Sequence, residues 1–243
     1  MCFFYALSAK AQSLKNRYQL KEEPAGAAEL AGPKYYVSGF EFPRMPVVTN
    51  EEPGRLQLMS WGLIPSWVQT PAQAAQIRSK TLNARAETVL EKPAFRQAVR
   101  RRRCLVPADG FYEWRAFQGK KYPYFIFLKD KSVFSFAGIW EEWVDPETGE
   151  VIKTYSILTT EANPLLAKIH NTKKRMPVIL PPAEEKAWLS AGAGEAVLRS
   201  LLRPFPAELM AAYPVSRLLT ARAADRNTPE VQAPYVYPEL GED

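Results

Sequence analysis

The chain has 243 residues, of which 47% are apolar and 24% charged, with two cysteines and a formal net charge of +6. This balance excludes a disordered chain and a disulfide-stapled scaffold, and the length fits one large domain or two small ones. No apolar run reaches the roughly 20 residues that a membrane helix needs, and no basic leader precedes the first eight residues. The expectation is a cytoplasmic protein without a membrane partner.

In chain order, residues 8–20 read as a short amphipathic helix with Ser8 as its N-cap. Residues 21–54 are rich in Pro, Gly and Glu, with one strand candidate at Tyr35–Val37. The segment 55–67 opens with period-two alternation, which predicts a strand running into a proline turn. A helical turn is expected at 71–78 and a helix at 92–102, where Phe95 and Val99 share a face and Pro93 stands near the start. Four strand-like stretches follow: "RCLVPADGFYEWR", "YPYFIFL", "SVFSFAGIW" and "KTYSILTTE", with "DPETG" (145–149) as a hairpin turn. Helices are predicted at 163–168, 183–189 and 195–202, and a last strand near 215–219. The tail from Asn227 is Pro-rich and reads as loose. Strands followed by helices argue for an α+β domain around an antiparallel sheet.

Basic residues cluster at Arg100–Arg103, at Lys120–Lys121 and at Lys173–Arg175. Any one run reads as a solvated face. Three of them together with six tryptophans lean toward nucleic acid, because single strands are held by cationic grooves and stacking aromatics.

Four places can carry chemistry. In "TLNARAE" (81–87), an extended backbone sets Asn83, Arg85 and Glu87 on one face and Ala84 and Ala86 on the other. A site and an exposed edge with paired charges explain this equally well. In "ADGFYEWR" (108–115), Glu113 stands among three aromatics. Desolvation there would raise its pKa toward neutrality and suit it to acid–base work, whereas a simple ion pair with an arginine would not. His170 is the chain's single histidine, and it is either the acid–base group or a structural one. One histidine and two cysteines 102 positions apart give no metal-ligand spacing, so neither metal nor cofactor is expected.

Cys104 reads as a small buried hydrophobe. Cys2 differs. Removal of Met1 would give it a free α-amine of pKa about 8 beside a thiol of about 8.5. Such a 1,2-aminothiol is suited to an aldehyde: the amine forms a Schiff base and the thiol closes a thiazolidine ring.

Together these segments resemble the SOS response-associated peptidase (SRAP) family, whose members crosslink covalently to abasic sites in single-stranded DNA. The likeness is carried by Cys2 after Met1, "WGLIPSW" (61–67), "LNARAE" (82–87), "EKPAF" (91–95), "RRCLVPADGFYEW" (102–114), "FAGIW" (136–140) and "IH…RMPVIL" (169–180). It implies a single α+β domain, with a distorted barrel-like, mainly antiparallel β core and peripheral helices, over residues 1–226, followed by a Pro-rich tail at 227–243. It implies Cys2 as the crosslinking nucleophile, Asn83 as a hydrogen-bonding partner near the reacting amine, Glu113 as acid–base and His170 as stabiliser of the opened sugar. Arg85 and Arg175 would contact DNA, and Trp61 and Trp67 would line its path. The partner implied is single-stranded DNA with abasic sites, bound by a monomer.

Two departures from the family pattern stand out. Its members commonly begin Cys-Gly-Arg, with the arginine on a DNA phosphate, whereas this chain reads Cys2-Phe3-Phe4. Phe3 and Phe4 thus become candidates for base stacking. The family's histidine motif is H-x-R-M-P, whereas here "HNTKKRMP" carries three additional residues. His170 fits the motif through the preceding "I", and an ungapped reading would put Lys173 there instead. Two other functions fit the same residues: a thiol peptidase or self-processing hydrolase using Cys2, His170 and Asn83, and a non-catalytic single-strand binder.

Overall fold

The computed structural model describes residues 2–21, 32–221 and 225–241. Met1, whose removal the aminothiol reading requires, lies outside them, as do residues 22–31 of the Pro/Gly/Glu-rich stretch. The chain begins with β1 (Phe4–Leu7), α1 (Ala11–Arg17), β2 (Lys34–Ser38), β3 (Arg44–Thr49) and β4 (Leu56–Trp61). It continues through α2 (Pro71–Arg78), β5 (Asn83–Arg85) and α3 (Arg96–Arg101). Five long strands come next: β6 (Arg103–Ala108), β7 (Gly110–Phe117), β8 (Lys120–Leu128), β9 (Phe134–Val144) and β10 (Val151–Glu161). The chain then forms α4 (Pro164–Ile169), β11 (Arg175–Pro177), β12 (Ile179–Leu180), α5 (Pro182–Leu189), α6 (Glu195–Leu201) and β13 (Met210–Pro214).

Strands β10, β4, β3, β6 and β9 are neighbours in that order, and β9 pairs back onto β10. Five strands therefore close into a barrel, which removes the exposed edges an open sheet would have. Its pairings are antiparallel except β4 with β10, where Ser60 opposes Thr154. Gly138 on β9 is required by this closure: a Cβ there would stand 2.7 Å from Cys104 Sγ on β6. β10 is buried on both faces from Thr154 to Thr160, with Thr154, Ser156, Thr159 and Thr160 enclosed beside Tyr155, Ile157 and Leu158. The second sheet, ordered β13-β8-β7-β1-β2, is antiparallel throughout. It covers the barrel: Tyr5 of β1 meets Trp61 at 5.2 Å between ring centres, and Phe111 of β7 meets Phe136 at 5.9 Å. The core lies between these layers, with Trp61, Trp140 and Trp188 among its largest fully buried side chains. The α+β, barrel-based class expected from the sequence holds, with the helices peripheral.

Several elements differ from their sequence reading. The helix expected at 8–20 spans only Ala11–Arg17, and Ser8 does not cap it. Instead the Ser8 backbone N–H and hydroxyl both donate to Asp109, each at 2.6 Å. The single stretch 103–115 is two strands in two sheets, and Asp109 stands at the break. The helix at 92–102 starts at Arg96, after the turn that holds Pro93. The last strand is Met210–Pro214, paired along β8, while 217–220 form a 3₁₀ turn capped by Ser216. The tail is not loose: Val231 and Tyr237 are buried, and the Tyr237 hydroxyl donates to Val215 O at 2.9 Å. The hairpin at "DPETG" forms as expected, with Val144 opposite Val151.

Candidate active site

The site is assembled by the Asp109 clasp. By tying Ser8 and Ala9 to the β6–β7 break, it sets β1 antiparallel to β7 with Tyr5 opposite Phe111 and Ala6 opposite Gly110. The same register, continued, carries the amino-terminal residues past Glu113. Cys2 is fully buried, and its thiol donates to Phe4 O at 3.7 Å. Burial first, and the Glu113 charge second, push that thiol well above its ordinary range, so it is a protonated thiol at neutral pH.

Alternation on β7 works as the spacing predicts: Phe111 and Glu113 share the inward face. Glu113 is 3% exposed, and burial pushes its carboxyl up to about 7. His170 closes the C-terminus of α4, its backbone N–H donating to Leu166 O at 2.7 Å. Its Nδ1 lies 2.9 Å from Arg175 O. Arg175 N–H also lies 3.4 Å from Nδ1; the tautomer with the proton on Nδ1 makes the shorter contact, to the carbonyl, and leaves a lone pair on Nε2. Burial holds the ring below the ordinary imidazole value. Nε2 stands 3.9 Å from Glu113 Oε2. That is too far for a direct hydrogen bond and leaves room for one reacting oxygen to bond to both.

Phe3, Phe4, Glu113, Trp114, Lys121, His170 and Lys173 line one open groove of about 380 Å³. Phe4 packs edge-on against Trp114 at 5.1 Å, and Phe3 lies 4.9 Å from Phe40. Phe3 and Phe4 are thus part of the groove wall. Trp114, Lys121 and Lys173 belong to it as well. Their place beside Glu113 is set by the fold alone, which brings β8 and the 171–174 loop to β7. Their signal was the aromatic in "GFYEW" and the two lysine runs.

β5 delivers the "NAR" face as an extended edge on β10, with Asn83 opposite Ile157. Asn83 is buried, and neither its amide nitrogen nor its oxygen has a hydrogen-bond partner among the described residues. Such a group left without a partner costs about 1–3 kcal/mol, so a water, an ion or a ligand is expected to complete it. Arg85 projects outward, 60% exposed, with Nε 3.6 Å from Glu87. Trp67 is also exposed and donates to Pro93 O at 3.4 Å.

Two assignments need correction. Trp61 has no exposed surface: its ring stacks on Tyr155, and its indole N–H donates to Leu82 O at 2.8 Å. Its face is committed to the core and is not available to a base. Arg175 is buried and forms a bidentate pair with Glu87, and it also donates to Thr159 O at 2.8 Å. It fixes β11 and, through its carbonyl, the His170 tautomer, rather than presenting a cation to solvent. Although its own burial works the other way, Glu87 is held below the usual carboxylate range by Arg175. Among the described residues no cluster of His, Cys, Asp or Glu could hold a metal ion, and no helix is long and apolar enough to cross a membrane.

The profile of the SOS response associated peptidase (SRAP) family matches residues 1–221. The chain belongs to this family. It is 42% identical over 187 residues to the Bacillus subtilis abasic site processing protein YoqW, covering 76% of this chain and 79% of that one. It is 34% identical over 204 residues to the chicken abasic site processing protein HMCES, covering 75% of this chain and 57% of that longer one. Among solved structures, a Bacteroides thetaiotaomicron protein superposes with a TM-score of 0.91 at 40% identity, covering 97% of this chain and all of the other. A Bordetella bronchiseptica protein gives 0.74 at 29% identity. In this SRAP protein "GFYEW" and the segment beginning "IH" supply Glu113, Trp114 and His170 to the groove.

Proposed function

We propose that this SRAP protein is a DNA-repair enzyme that crosslinks itself through Cys2 to abasic sites in single-stranded DNA. The observation that carries this reading is a buried Cys2 thiol coupled to Glu113, whose carboxyl is raised to about 7 and which lines one groove with His170, 3.9 Å away. The names of its relatives, abasic site processing proteins, point the same way.

With Met1 removed, the Cys2 α-amine adds to C1′ of the ring-opened sugar aldehyde. Loss of water gives a Schiff base. The thiol then adds to the C=N carbon, and its proton ends on the ring nitrogen, giving a thiazolidine. The net change is aminothiol plus aldehyde to thiazolidine plus water. A protonated thiol makes the amine the first nucleophile and needs a base for the second step. Glu113, poised between its two forms at neutral pH, first donates a proton to the sugar ring oxygen and then accepts the thiol proton. His170 holds the opened sugar hydroxyl with its Nε2 lone pair. Asn83 completes its amide on the intermediate, while Arg85, Trp67, Phe3 and Phe4 hold the strand. The protein acts as a monomer, in the cytoplasm, without a cofactor. A peptidase role for Cys2 draws less support, because His170 faces Glu113 and a buried, protonated thiol is a poor acyl nucleophile.

The test is a denaturing gel of the methionine-processed protein with abasic single-stranded DNA. A band that survives denaturation, is lost in Cys2→Ala and is kept in Cys104→Ala supports the reading. Crosslinking retained after one residue is inserted before Cys2 overturns the aminothiol mechanism.

A further inference from the structure

The loop between α4 and β11 holds the three residues by which this chain exceeds the family's histidine motif. Asn171 fixes it to the edge of β7 with both amide atoms, accepting from Ala116 N–H at 3.0 Å and donating to Ala116 O at 2.8 Å. Downstream, Lys174 takes a left-handed conformation (φ 49°), its N–H donating to His170 O at 2.8 Å and its carbonyl accepting from Ala162 N–H at 3.0 Å. The loop is thereby fixed at both ends, and Thr172 and Lys173 form part of the groove wall. On the other side of β7, Lys121 is the register partner of the same Ala116. Two exposed ammonium groups from separate elements therefore reach the groove that holds Glu113 and His170. Among the described residues no carboxylate forms an ion pair with either one. Position 4, on the same groove wall, is Phe4 and carries no charge.

We propose that Lys121 and Lys173 each hold a backbone phosphate of the single strand bound in this groove, with Asn171 as the residue that positions Lys173. The inference rests on the DNA reading above and deepens it: on a groove walled by Phe3, Phe4 and Trp114, Lys121 and Lys173 supply the cationic contacts. Phosphate oxygens are the natural partners of paired ammonium groups, and each phosphate neutralised on a single strand contributes about −0.7 to the slope of log K against log salt.

The test is a salt series of anisotropy titrations with a single-stranded oligonucleotide carrying a tetrahydrofuran abasic analogue, which has no aldehyde and binds reversibly. Lys173→Ala should flatten the slope by about 0.7, and the double variant with Lys121→Ala by about 1.4. Lys173→Arg should keep the wild-type slope. Asn171→Ala should lose as much as Lys173→Ala, and combining the two should add nothing. An unchanged slope in Lys173→Ala, with unchanged thermal unfolding, overturns the proposal. Authentic abasic DNA on a denaturing gel runs in parallel. Crosslinking with an unchanged slope removes the clamp and keeps the covalent reading. Slope loss without any crosslinking keeps the clamp and removes the covalent reading.

Discussion

Cys104 sits in the barrel wall and Cys2 beside the second sheet, and neither has exposed surface. Around Cys104 the packing is dry and polar groups are satisfied. The Trp188 indole N–H donates to Cys104 O at 3.0 Å, and the buried Arg103 guanidinium donates to the carbonyls of Trp188, Val99, Arg100 and Ser190 at 2.6–2.8 Å. Burial alone raises the Cys104 thiol. Beside Cys2 stand groups held away from their ordinary states: Glu113, whose carboxyl burial raises to about 7, and, 3.9 Å from it, His170, whose ring burial holds below the ordinary imidazole value. Equal burial thus leaves two raised thiols in different settings, one enclosed in the barrel wall and one beside the Glu113 carboxyl. What separates them is the polar company: Glu113, raised by burial, and His170, lowered by it, both line the groove beside Cys2.

Glu113→Gln breaks the comparison hardest. It keeps the shape and removes the proton shuttle, so crosslinking should slow by about 10²- to 10⁴-fold, and the rate should lose its inflection near pH 7. Stability should move the other way. A carboxyl raised to about 7 from an ordinary 4.5 stays protonated in the folded state while the unfolded chain has already released its proton. Its contribution is full below pH 4.5 and is lost as pH rises through 7, about 3 kcal/mol in all. Glu113→Gln should therefore unfold at higher denaturant than wild type at pH 8 and show little difference at pH 4. His170, held low, acts in the opposite sense and below its ordinary value: its contribution is present above about 6.5 and falls away in acid. A rate and a stability that fall together at pH 8 would make Glu113 a structural residue like those around Cys104.

The two tryptophans of "WGLIPSW" sharpen the same contrast. Trp61→Ala should cost about 3–5 kcal/mol in chemical denaturation, as large-to-small changes in a packed core do. Trp67→Ala should stay within about 0.5 kcal/mol and instead weaken single-strand binding by about 1–3 kcal/mol, the value of one stacked base. Equal stability losses would place Trp67 in the core and take it off the DNA path.

The sequence located these features unevenly, for physical reasons. Period-two spacing put Glu113 on an inward face and Asn83 with Arg85 on one edge, because alternation in a strand is local geometry. Burial depends on what the rest of the chain brings, so Trp61 and Trp67 could not be told apart six residues from one another. The Arg100–Arg103 run shows the same limit. Arg100 pairs with Glu195, Arg102 with Glu141, and Arg103 is fully enclosed, so most of that charge is structural. The switch of sheet at Asp109 was hidden inside one apolar stretch, since its cause is a partner, Ser8, 101 positions away. The insertion after His170 was visible as a departure, but the anchoring of Asn171 on Ala116 is a tertiary contact that no spacing rule contains.

Asn83→Leu carries the smallest expected effect and tests the reasoning behind the comparison. If the amide is kept unpartnered for a ligand, replacing it with an apolar side chain of similar volume removes a buried donor and acceptor that nothing satisfies. Stability should then rise by about 1 kcal/mol, while crosslinking to abasic DNA slows. A residue retained only for the fold would do the reverse, losing stability and leaving the rate untouched. Denaturant midpoint and single-turnover crosslinking rate, measured on the same preparation, separate the two. A gain in the first with a loss in the second is the signature of a side chain that the fold tolerates at a cost because the reaction uses it.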